Sequence, residues 1–149
     1  MRCIMKFISY EAIFALIRNL NLPFEDSKQQ YLRMVFNIIS RNVDDHSKNF
    51  AFCMTPDGVW RLSPAYDLTF SVDLAAPSYV NRHSLTVNGK DEGITRSDLE
   101  SMALNNDIQN HKMLIENVID AVNNFDRYAL ELDIDRQLIK NIRSEFVDF

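Results

Sequence analysis

Asn42-Val43-Asp44-Asp45-His46-Ser47-Lys48-Asn49-Phe50 decides how this chain is read. Within it, carboxylates, an imidazole, an amine and a carboxamide follow directly on an apolar segment. Tyr31, Met34, Val35, Ile38 and Ile39 recur at i, i+3, i+4, i+7 and i+8 and so line one face of a helix. Leu22, Phe24 and the surplus apolar Leu32 and Phe36 predict burial on more than one side, which makes this helix the central strut that holds Asp44 still. Pro23 separates it from an earlier helical stretch, and Asp26 or Ser27 is placed to cap its start by accepting a backbone N–H.

Downstream, Phe50 to Met54 reads as a strand, Thr55-Pro56-Asp57-Gly58 as a tight turn and Val59 to Leu62 as a return strand. Asp67 lies just beyond. In protein kinases the catalytic Asp accepts the proton of the attacking hydroxyl, and an Asn five positions later reaches a Mg²⁺ ion. Asp44 and Asn49 have that span, and Asp67, after the two strands, stands where a second metal-binding carboxylate belongs. An acidic, polar loop after a helix is most often a solvated connection, because Asp, Asn and Ser hydrogen-bond their own backbone. The joint occurrence of the span, His46 within it, the hairpin and the distal Asp67 weighs against that reading. A hydrolase metal site made of Asp44, Asp45, His46 and Asp67 is weaker. Hard oxygen donors suit Mg²⁺ or Mn²⁺, but one His among carboxylates at this spacing is no zinc or diiron pattern.

At these residues the chain resembles the HipA family of serine/threonine protein kinases, the toxins of bacterial toxin-antitoxin modules. Residues Asn42 to Phe50 are similar to that family's catalytic loop, and Leu62-Ser63-Pro64-Ala65-Tyr66-Asp67-Leu68 to its metal-binding segment. Weaker similarity runs through Ser9-Tyr10-Glu11, the helix before the loop, and Ser84-Leu85-Thr86-Val87-Asn88-Gly89-Lys90. The resemblance implies a mostly α fold with a small β-hairpin (α+β), the carboxyl-terminal lobe of a protein-kinase-like fold, as one domain over residues 1–149. It implies Asp44 as catalytic base and Asn49 and Asp67 as ligands of Mg²⁺ with ATP, while His46 braces the loop and Lys48 lies near the transferred phosphate. Asp45 is expected to be a solvent-facing neighbour. The acceptor would be a protein hydroxyl, with aminoacyl-tRNA synthetases the substrate class and an antitoxin, often itself a DNA binder, the natural partner.

A complete kinase of this kind also carries an amino-terminal lobe with a phosphate-covering loop and a nucleotide-gripping lysine. The three glycines here, Gly58, Gly89 and Gly93, are not clustered as such a loop requires, and the residues upstream of Asp44 read as helix. The chain therefore reads as a carboxyl-terminal lobe alone, and its abrupt start at Met1 suggests a preceding segment. The alternative to a catalytic lobe is a truncated, noncatalytic module that binds an antitoxin or a complementary lobe.

A chain of 149 residues with 46% apolar content suits one compact domain, and the net charge of −5 argues against a general nucleic-acid binder, whose affinity rests on basic surface. No direct nucleic-acid contact is expected. Cys3 and Cys53 fit no metal-ligand spacing and read as reduced, partly buried thiols in the cytoplasm. The apolar run from Cys3 to Leu22 is interrupted by Lys6, Glu11 and Arg18 before it reaches membrane-spanning length and reads as a core helix. Between Ser71 and Gly93, turn residues surround a short alternating run from Ser84 to Val87, and Arg82, His83 and Lys90 read as solvated loop charges. Thr95 or Ser97 caps a helix carrying Leu99, Met102 and Ala103. Leu114, Ile115, Val118, Ile119 and Val122 form another core stripe, and Leu138, Ile139, Ile142 and Phe146 supply the inward face of a last helix around Arg136 to Phe146.

Overall fold

The computed structural model describes residues 9–149. In chain order these form α1 (Tyr10–Asn19), α2 (Phe24–Ile39), β1 (Phe52–Met54), β2 (Trp60–Leu62), α3 (Arg96–Asn105), α4 (His111–Asn123), α5 (Phe125–Glu131) and α6 (Arg136–Arg143), with short 3₁₀ turns at Ser47–Asn49 and Ser78–Val80. The strands pair antiparallel in the register Phe52 to Leu62, Cys53 to Arg61 and Met54 to Trp60, so the chain is mostly helical with one hairpin, as expected.

Helix α2 is the axis. Tyr31, Met34, Val35, Ile38 and Ile39 are buried, and the helix packs against α1, α4 and β2. The stripe of α1 (Tyr10, Ile13, Phe14, Ile17) and that of α4 (Leu114, Ile115, Val118, Val122) close on it. Each aliphatic side chain fully removed from water there contributes about 1.5–3 kcal/mol. Leu22, Leu32 and Phe36 pack partly buried against this core, whereas Phe24 stays exposed at the helix start.

The ends of the helices set the course of the chain. Ser9 caps α1 by accepting from the Ala12 N–H, and Asn21, left-handed at φ 51°, ends it while the Leu22 N–H returns to the Ile17 carbonyl. Thr95 and Asp98 form a reciprocal capping box on α3. Helix α2 departs from expectation: Pro23 occupies its cap position with no side-chain bond, and neither Asp26 nor Ser27 caps it. Asp26 is buried and accepts instead from Arg61 Nε and Nη2 (both 2.9 Å) and the Leu62 N–H (2.9 Å), clamping the hairpin to the helix. The Arg61 guanidinium bonded to it holds the Asp26 carboxyl below its ordinary range, against the opposing effect of burial.

Three further readings change. Of the expected last-helix face only Ile139 is buried and Leu138 is 43% exposed, because α6 packs on α5 at the periphery. Phe146, beyond the end of α6, meets Phe70 and Phe125 edge-on. Cys53 is exposed on β1 rather than partly buried, while Cys3 and Lys6 lie outside the described residues, as does the start of the run assigned to the first helix. The run from Ser84 to Val87 forms isolated bridges, Ser9 to Thr86 and Val87 to Lys90, with Leu85 and Val87 pointing into the core. No helix among the described residues is long and apolar enough to cross a membrane.

Candidate active site

Helix α2 ends by turning sharply. Arg41 adopts φ 59°, and the Asn42 N–H returns to the Asn37 carbonyl (2.9 Å), which delivers Asn42 into the interior and Asp44 to the surface. A left-handed conformation costs a residue with a Cβ about 1–2 kcal/mol, so this turn is held by its surroundings. Arg41 Nη2 donates to the Asn81 carbonyl (3.0 Å), and the Val147 N–H donates to the Ile39 carbonyl (3.0 Å).

The loop has an outward and an inward face. Outward, the Asp44 side chain is 64% exposed, and His46 Nε2 lies 3.8 Å from its Oδ1. His46 Nδ1 is buried without a hydrogen-bond partner among the described residues. Lys48 is exposed. Asn49 Nδ2 donates to the Asp44 carbonyl (2.9 Å), which fixes the loop and leaves the carboxamide oxygen as the atom not used in that bond.

Inward, Asp45 is 0% exposed, which corrects its expected place in solvent. Its carboxylate accepts from Tyr10 Oη (2.7 Å), His83 Nδ1 (3.1 Å) and the Ser84 and Leu85 N–H groups (2.8 and 3.3 Å). An anion removed from water needs donors of this number. His83 is therefore no solvated loop charge; its ring is buried against Asp45. Burial and the adjacent Asp45 carboxylate both push the Tyr10 phenol well above its ordinary range, so it remains a neutral donor. Arg82 and Lys90 are also engaged, Arg82 with Asp91 and Glu92 and Lys90 with Asp98.

Asp67, exposed and left-handed at φ 55°, is brought to the loop through its backbone. Asn42 Nδ2 donates to the Asp67 carbonyl (3.0 Å), Ser71 Oγ donates to Asn42 Oδ1 (3.1 Å), and the Asp44 N–H donates to Ser71 Oγ (3.0 Å). A second tie runs from Tyr66 Oη to the Lys48 carbonyl (2.7 Å). Asp44, His46 and Asn49 thus adjoin directly, and the segments carrying Lys48 and Asp67 are laced to them. The buried linkage of Asn42, Asn37, Tyr10, Asp45 and His83 escaped the sequence reading, which put Asp45 and His83 in solvent, although a carboxamide at position 37 amid an apolar helical stripe was the available signal.

The family whose model matches this chain is the HipA-like C-terminal domain, over residues 3–129. This chain belongs to that family. A relative from Shewanella oneidensis, the serine/threonine-protein kinase toxin HipA, is 34% identical over 67 residues, or 45% of this chain and 15% of that protein. The matched part is thus a small fraction of that relative's length. No solved structure matches. The HipA-like match spans α1 to α5 almost entirely, so both the 42–49 loop and the Asp67 segment fall within it, while α6 lies beyond.

What the candidate site can do chemically follows from its donors. Two exposed carboxylates, Asp44 and Asp67, and the Asn49 carboxamide oxygen are hard ligands of the kind Mg²⁺ takes, one or two carboxylates at a time with nucleotide phosphates completing the shell. Among the described residues no group of three His, Cys, Asp or Glu side chains is placed to hold a metal unaided. The hydrolase alternative also loses Asp45, whose oxygens are consumed inside the protein.

Proposed function

We propose that this chain is the carboxyl-terminal catalytic part of a HipA-like serine/threonine protein kinase, transferring the γ-phosphate of ATP to a protein hydroxyl. The observation that carries this reading is the lacing of the Asp44 loop to the Asp67 segment through Asn42 and Ser71. Asp44 accepts the acceptor's hydroxyl proton as its oxygen bonds to the γ-phosphorus and the bond to the β-phosphate oxygen breaks, releasing ADP. Asn49 and Asp67 are the residues that would hold Mg²⁺, which when bound neutralises phosphate charge. His46 orients Asp44, and the exposed Lys48 would lie near the transferred phosphate. The family likeness implies an aminoacyl-tRNA synthetase as acceptor class and an antitoxin as partner, in the cytoplasm.

Phosphate transfer from labelled ATP with Mg²⁺, measured with and without the amino-terminal lobe of a HipA-like kinase supplied in trans, tests this. Weak or absent transfer by the chain alone, clear transfer on addition, and loss with Asp44→Asn are expected. Transfer that survives Asp44→Asn would overturn the assignment.

A second reading, a noncatalytic binding module, draws on the hairpin, where the cross-strand pair Met54 and Trp60 is 60% and 38% exposed with Val59 beside it. Binding of that lobe without any nucleotide binding would favour it.

A further inference from the structure

The buried polar groups behind the site form one continuous line with a fixed direction. The Asp44 N–H donates to Ser71 Oγ and the Ser71 hydroxyl to Asn42 Oδ1. Asn42 Nδ2 donates to Asn37 Oδ1 (3.1 Å), Asn37 Nδ2 to Tyr10 Oη (3.0 Å), and the Tyr10 hydroxyl to Asp45 Oδ2. Both ends dictate the same orientation. A peptide N–H can only donate, a carboxylate can only accept, and every carboxamide and hydroxyl between them satisfies both with one assignment. The other Asn42 amide hydrogen goes to the Asp67 carbonyl, so the line branches to the second site segment at its middle. Bonds aligned in this way polarise one another, and the anion at the end favours the whole orientation.

We infer that Asp45 is the anchor of this line and that Asp45, Tyr10, Asn37 and Asn42 are positioning residues that set the separation of the Asp44 and Asp67 segments. Tyr10 bonds to neither Asp44 nor Asp67, yet through Asn37 and Asn42 it links the anchoring charge to the groups that hold both. His83 and the Ser84 and Leu85 amides hold the anchor from the opposite side, which couples residues 83–85 to the spacing of the site. The inference deepens the phosphotransfer reading and rests on it for the use made of that spacing.

The test compares two tyrosines that are both 0% exposed. Tyr10→Phe removes a link of the line, and Tyr31→Phe removes a hydroxyl bonded, among the described residues, only to the Leu99 carbonyl (3.1 Å). In amide hydrogen exchange by NMR, Tyr10→Phe is expected to speed exchange at Asp44 about tenfold more than Tyr31→Phe does, roughly one lost hydrogen bond, with Val118 affected alike in both. With the amino-terminal lobe supplied in trans, Mg²⁺-ATP titration followed at Asn49 and Asp67 is expected to weaken in Tyr10→Phe only. Should Tyr10→Phe not fold, Ser71→Ala cuts the far end, and the His83 ring ¹⁵N shifts are expected to move although Ser71 does not bond to His83. Equal Asp44 exchange in the two tyrosine variants, or an unmoved His83 ring in Ser71→Ala, overturns the inference. Altered exchange in a chain whose wild type binds no Mg²⁺-ATP even with the amino-terminal lobe supplied in trans leaves the positioning line standing and removes the phosphotransfer reading.

Discussion

Asp44 and Asp45 are adjacent, chemically identical, and turned to opposite sides of one loop. The first has most of its side chain in water beside an imidazole, and the second has none of its surface in water and four protein donors around it. The difference lies in what each carboxylate has left to offer. Asp45 is spent on structure, because every oxygen is already bonded inside the protein. Asp44 is fixed through its backbone, by Ser71 at the N–H and Asn49 at the carbonyl, and its carboxylate stays available. The loop carries both kinds of aspartate, one that holds and one that is held.

Substituting each in turn sharpens this contrast. Asp45→Ala strands a buried imidazole, a phenol and two amides, and is expected to cost about 3–5 kcal/mol, read as a lower urea midpoint. Asp44→Asn is expected to leave the midpoint within about 0.5 kcal/mol while phosphotransfer in the reconstituted assay falls about 10²–10⁴-fold. Equal stability losses in the two variants would break the comparison.

Asp98 extends the inward class to a measurable pH effect. Burial raises its carboxyl, but Lys90, the Thr95 amide and hydroxyl, and Asn88 outweigh it and hold the group below the carboxylate range. With the folded value depressed, its stabilisation is fully present above the unfolded value of about 3.9 and is lost as pH falls from there through the folded value. Urea midpoints taken from pH 5 downward should therefore fall less steeply in Asp98→Asn than in the wild type. The smallest effect belongs to the open surface of α6: Leu138→Ser should change stability by less than about 0.5 kcal/mol, whereas Ile139→Ala costs about 2 kcal/mol or more, both by denaturant titration.

What the sequence disclosed divides by distance along the chain. The start of α3, read as capped by Thr95 or Ser97, the hairpin around Pro56 and Gly58 and the apolar stripes of α2 and α4 arise among residues a few positions apart, so spacing alone brings them close to view. Gly58, at φ 84°, closes that turn with its N–H on the Thr55 carbonyl. Asp26 looked like a local cap and was claimed by Arg61, 35 positions away. Asp45 looked solvated because its partners are Tyr10 and residues 83–85, and only the folded chain brings them together. Helix α5, seven residues directly after α4, has too little periodicity to stand apart in sequence. The outward candidate residues could be picked out because a five-residue span is local, and the buried line behind them could not, because each of its longer links joins separate segments.

Asn42 has both amide hydrogens and its carbonyl oxygen committed at once, to Asn37, the Asp67 carbonyl and Ser71. Aspartate there lacks the two donors, serine lacks the reach, and glutamine adds a methylene to a position with 1% of its surface free. In a saturation library selected for folding, this position is expected to accept one amino acid.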